Sequence, residues 1–171
     1  LSNGATAVTI ANVTASEAGT TNLKMPATSE NITVTVENIE STANLQIEKP
    51  ATGDNPESVS VVLPASASVS NLTINLPESH VEVNGATYNS ITATTSNTTL
   101  VIGSDVKVTT LTINAGSAII YGNVTTLVKG ENAGKIEWHV TDQASLKTAL
   151  KYDGKIVIES DIAMEDYADI N

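Results

Sequence analysis

From Leu23 to Val128 the chain alternates apolar and polar residues in short runs, each ended by a break. The runs cover 23–25, 32–36, 45–47, 59–63, 72–76, 81–83, 91–93, 100–102, 106–108, 111–113, 118–121 and 124–128. Residues 1–22 are small and polar, with one such piece at 7–10. A period of two puts successive side chains on opposite faces, so each run predicts a strand buried on one side only. The breaks have their own chemistry. Pro26, Pro64 and Pro77 end strands, because proline has no N–H to give a ladder. Asn84-Gly85 supplies the positive φ of a sharp corner. The stretch 49–57, KPATGDNPE, reads as an exposed loop.

The runs recur. VVLPASASVSNLTINLPES at 61–79 returns without a gap 39 positions later as LVIGSDVKVTTLTINAGSA at 100–118. A looser copy, LKMPATSENITVTVENIES, occupies 23–41. Short strands at this spacing also suit a β-sandwich. A sandwich, however, has no reason to reuse LTIN in register. A solenoid does, because each coil must lay its apolar residues on those of the coil before. The expected fold is therefore all-β: a right-handed parallel β-helix or solenoid over residues 1–135, with copies near 23–60, 61–99 and 100–135. Four strands in 39 residues imply two coils of about 20 each. A three-sided coil of about 28, stacking Leu72, Leu100 and Leu127, is the competitor.

The texture changes after Ala133. Residues 136–140, IEWHV, read as a strand. Thr141 suits an N-cap, with Asp142 and Gln143 in the first turn. Leu146, Ala149 and Leu150 then form an apolar stripe at helical spacing, Lys147 and Lys151 suit the helix C-terminus, and Asp153-Gly154 stops it. KIVIESDI at 155–162 returns to strand. Residues 136–171 thus predict a strand–helix–strand unit that caps the stack, or starts a second one, and hides its open edge.

Composition fits thin aliphatic layers. Aromatics are 3 % of the 171 residues, with no Phe and one Trp. The net charge of −11 excludes nucleic acid and anionic membrane surfaces as natural partners. There is no cysteine, hence no disulfide or thiol chemistry, and no apolar run long enough to span a membrane. The opening LSNGATAVTI lacks an initiator Met, which leads us to expect that an upstream segment has been removed.

Candidate chemistry is sparse. His80 and His139 are far apart in sequence and neither has a neighbouring His or Cys, so no zinc site is expected. No phosphate loop or nucleophile elbow is visible. The densest acids are Glu159, Asp161, Glu165, Asp166 and Asp169. Glu159 and Asp161 alternate, which would put both on one strand face, and they are the candidate metal ligands, for Ca²⁺. Sugar binding would need exposed aromatics, for which the candidates are Tyr88, Tyr121, Trp138 and Tyr152. Trp138 also suits the junction between solenoid and cap helix. Five N-x-S/T sequons, at Asn12, Asn31, Asn71, Asn97 and Asn123, match what this Asn- and Thr-rich composition gives by chance.

Two resemblances follow from these segments. Residues 71–130, with LTIN, VEVNG, ATYNSITATTSNTTLVIG and IIYGNV, resemble the repeat region of secreted or surface-anchored β-helix proteins of gut Bacteroidetes, some of them described as adhesins. Residues 137–165, EWHVTDQASLKTALKYDGKIVIESDIAME, look like the opening of a right-handed β-helix of the pectate-lyase-like superfamily, where an amphipathic helix caps the first coil. The second resemblance implies a fold and carries over no active site. Together they imply an extracellular or cell-surface location. The expected function is a non-enzymatic structural or adhesive module, without cofactor, that binds glycan or extracellular matrix. The alternatives are the N-terminal portion of a polysaccharide-degrading lyase or hydrolase, and a carbohydrate-binding module.

Overall fold

Successive strands lie on alternate sides of a common axis, and every pairing between them is parallel. This computed structural model describes residues 6–14, 19–25, 31–49 and 56–163. The chain is a β-solenoid. One face holds β1 (Ala7–Ile10), β3 (Ile32–Val36), β5 (Ser58–Val62), β7 (His80–Asn84) and β9 (Thr99–Ile102). The other holds β2 (Thr21–Lys24), β4 (Asn44–Glu48), β6 (Ser68–Asn75) and β8 (Thr87–Ala93). Two long strands, β10 (Lys107–Ile120) and β11 (Asn123–Val140), turn the corner. The first half of β10 pairs with β8 and its second half with β9. A short helix α1 (Gln143–Ala149) and strand β12 (Lys155–Ile158) follow, β12 pairing with the end of β11.

The period-two pattern pays off as continuous aliphatic columns. On the first face Val34, Val61, Val83, Ile102, Ile120, Trp138 and Ile156 stand in register. On the second, Leu45, Leu72, Ile91, Leu111 and Leu127 do the same. All of these but Ile156 are buried, so each rung covers the apolar surface of the last. Polar side chains stack as well. Asn71 Nδ2 donates to Asn44 Oδ1 at 2.5 Å, and the Ser90 hydroxyl donates to Asn71 Oδ1. The Asn71 sequon amide therefore belongs to a ladder across three coils.

The coil length varies along the stack instead of taking either expected value. Near the C-terminal end, Thr99 pairs with Ser117 and Ala118 with Ile136, each 18 residues on. Nearer the start, Ile32 pairs with Val59, a step of 27. Among the described residues the long coils still carry one strand per face. A three-sided coil is ruled out, because Leu72 and Leu127 share one face while Leu100 sits on the other.

The repeat copies follow the stack only in part. Leu72 and Leu111 are two rungs apart on one face, as the 39-residue spacing requires. In the preceding strand Val61 lies in column with Ile102 rather than Leu100, since the β5–β7 step is 22 residues. That offset of two keeps the same side inward. The looser copy is out of phase: Ile32–Val36 stacks on the face opposite Leu72.

The corners show why particular residues stand there. Gly85 has φ +75°, and a Cβ there would lie 1.9 Å from the Leu63 carbonyl oxygen. Gly116, where β10 bends between faces, has φ +82°, and a Cβ there would lie 2.4 Å from the Thr98 carbonyl oxygen. Buried Thr98 donates to the Leu76 carbonyl at 2.5 Å, and buried Ser79 to the Pro56 carbonyl at 2.9 Å. Pro26 and most of the 49–57 loop lie outside the described residues.

Candidate functional site

The N-cap of α1 is Asp142 rather than Thr141. Its carboxylate accepts from the Ser145 N–H at 2.7 Å, and the Ser145 hydroxyl in turn accepts from the Asp142 N–H at 3.3 Å. Hydrogen bonding to the carboxylate from Ser145, its backbone N–H first of all, holds the Asp142 carboxyl below the usual range. The helix lies where the second face would place its next strand. Ala149 is fully buried, and Leu146 and Tyr152 pack on the core. The Tyr152 hydroxyl accepts from the Leu127 N–H at 3.0 Å, which answers an edge donor of β11 that has lost its strand partner.

Trp138 is the last buried member of the first-face column, which continues to Ile156. It is 2 % exposed, and its ring stacks on Tyr152 with centroids 5.8 Å apart and planes 11° apart. Its indole N–H has no acceptor among the described residues. Tyr121, at the corner after β10, is 44 % exposed and packs against His139 with centroids 4.2 Å apart. Both aromatics line one cleft of about 300 Å³ between that corner and α1. Its walls carry Asn123, Thr125, Thr141 and Thr148, with Lys151 at the rim. Tyr88 takes no part. It stands in the column between Val69 and Val108, fully buried, its hydroxyl unpartnered. Burial, and secondarily the Asp105 charge, push its phenol well above the ordinary value.

Outside the cleft, the outward side chains of the C-terminal half of β11, on the first face, assemble a charged group that the sequence reading missed. His139 Nε2 meets Glu137 Oε1 at 2.9 Å, His139 Nδ1 meets Glu159 Oε1, and Lys155 Nζ donates to Glu137 Oε2 at 3.1 Å. The Lys155 hydrogen bond, with that of His139 after it, lowers the Glu137 carboxyl below the usual carboxylate range. The signal was the coil length: Glu137 and Lys155 are in register 18 residues apart. Glu159 is thus engaged by a histidine. Strand β12 ends at Ile158, so the alternation expected to align Glu159 with Asp161 does not operate. Among the described residues no cluster of three His, Cys, Asp or Glu side chains could hold a metal ion. Glu165, Asp166 and Asp169 lie outside those residues. His80 is exposed. No helix among the described residues is long and apolar enough to cross a membrane.

No family model, curated protein or solved structure matches this chain. Function must therefore be argued from its own geometry.

Proposed function

We propose that this chain is a non-enzymatic extracellular structural and adhesive module, a stiff β-solenoid that presents a binding surface to glycan or matrix. The observation that carries this reading is the pairing, at the end of an uninterrupted aliphatic stack, of a half-exposed tyrosine and a tryptophan around a hydroxyl-lined cleft. A stack of this kind fixes the spacing of everything on its surface, because each rung is held by parallel ladders and by the side chains beneath it. The acids support the same reading. Glu137 and Glu159 both face His139 and so do not flank an open substrate channel as a hydrolytic pair does. A glycan array together with a matrix-protein screen on the purified chain tests the proposal, and binding to neither overturns it. Release of reducing or unsaturated sugar ends from polysaccharides incubated with the chain overturns its non-enzymatic part.

A further inference from the structure

We propose that the cleft between the corner at Tyr121 and helix α1 is a sugar site that seats one neutral pyranose unit; this rests on the glycan-binding reading above and gives it a place. Four features of the cleft point the same way. Its size, about 300 Å³, lies at the small end of ligand pockets, suited to one ring and too small for a protein segment of any length. Its aromatic wall is held in place: one side of the Tyr121 ring packs on His139, whose two ring nitrogens are each engaged by a carboxylate. The tyrosine therefore offers a fixed flat surface, and the C–H face of a pyranose packs on such a ring.

The polar wall is made of groups that both donate and accept. Asn123, Thr125, Thr141 and Thr148 line the cleft, and their side chains make no hydrogen bond to another group among the described residues. Hydroxyls and a carboxamide arrayed like this match the mixed donor–acceptor rim of a sugar. They match neither an anion nor a cation, and the two charges at the cleft, Asp142 and Lys151, are of opposite sign. Finally, Trp138 lines the cleft, and its buried indole N–H has no acceptor among the described residues. A buried donor without an acceptor is costly. A ligand oxygen can supply the acceptor after a small adjustment of the cleft wall, since the nitrogen is closed to solvent.

Because Trp138 is the chain's only tryptophan, its fluorescence reads the site directly. The experiment titrates the intact chain with methyl glycosides of glucose, galactose, mannose and N-acetylglucosamine, in parallel with the glycan array. For a ligand of this size, we expect saturable binding with a Kd on the order of millimolar to at least one of them, with a shift of the tryptophan emission. Tyr121→Ala should weaken it about tenfold or more. Thr148→Arg, a good helix former that fills the cleft, should abolish it. Circular dichroism and melting curves like those of the unsubstituted chain establish that both variants fold. Array binding that both folded variants retain in full overturns the cleft as the site and leaves the adhesive reading standing. Absence of any binding, to array, matrix proteins or glycosides, overturns the adhesive reading itself.

Discussion

Replacing Tyr88 by phenylalanine should make the protein more stable. The tyrosine stands in an aliphatic column with Val69 below and Val108 above, and its hydroxyl is buried without a partner. An unsatisfied buried hydroxyl costs about 1–3 kcal/mol, and removing one oxygen leaves a void that costs only a few tenths. The net gain should be about 1–2 kcal/mol. For a chain of this length each kcal/mol moves the melting point by about 2–4 °C, so Tm should rise by about 2–8 °C. The pH dependence gives a second, independent reading. Burial raises the folded-state value of the Tyr88 phenol, so folding favours its protonated form. Above the ordinary phenol value of about 10 the unfolded chain ionises while the folded one does not. The stability contributed by that protonated phenol is present below pH about 10 and is lost as the pH rises further. Phenylalanine has no such term. Urea unfolding of the two proteins at pH 8 and pH 10.5 should therefore show the variant ahead at both, and by more at the higher pH. A variant less stable by more than about 1 kcal/mol at pH 8, with no widening at pH 10.5, would refute the reasoning.

The remaining predictions address the corners, the columns, the cap and the charged group. Gly85→Ala should destabilise by about 2 kcal/mol or more in urea unfolding, because it needs a left-handed backbone and puts a methyl into the Leu63 carbonyl. Leu111→Ala, which removes one rung of a fully buried column, should cost about 2–5 kcal/mol by the same assay. Asp142→Ala should cost about 1 kcal/mol while Thr141→Ala costs little, and equal losses would return the N-cap to Thr141. Glu137's lowered value means its ion pairing stabilises the fold above the ordinary carboxylate range and is lost as pH falls through the folded-state value. Melting curves between pH 3 and 7 should show Glu137→Gln with a shallower loss on acidification than the parent, and parallel curves would count against that pairing.

Much of the stack was legible because its physics is periodic. LTIN at 72–75 and 111–114 lies two rungs apart on one face, and the alternation of 32–36, 45–47 and 100–102 gave the inward side correctly. The fusion of 106–108, 111–113 and 118–120 into β10 was not legible. Register shifts between Ile113 and Ala115 and between Gly116 and Ala118 interrupt the period that marks a strand. The phase of 23–41 was misread because ITVTV and LTINL carry the same apolar pattern, and pattern alone does not say which face a strand occupies. Of the four candidate aromatics, Tyr121 and Trp138 meet at one cleft, but Tyr88 is core and Tyr152 packs against that core. One step of 19 residues from Val69 reaches Tyr88, and that step could have placed it in the column. The His139 cluster needed the same knowledge, since Glu159 approaches it only once the coil length is known.

The parallel ladders have a mechanical consequence. Every inter-strand bond joins one coil to its neighbour, so tension between the two ends of the chain loads the outermost turn first and leaves the inner ones untouched. The molecule should then unreel turn by turn instead of rupturing at once. A turn of 18 residues would release about 60 Å of thread and one of 27 about 90 Å. A pulling experiment that unwinds the C-terminal turns before the N-terminal ones would thus record extensions that lengthen as it proceeds, a shock absorber graded by loop length.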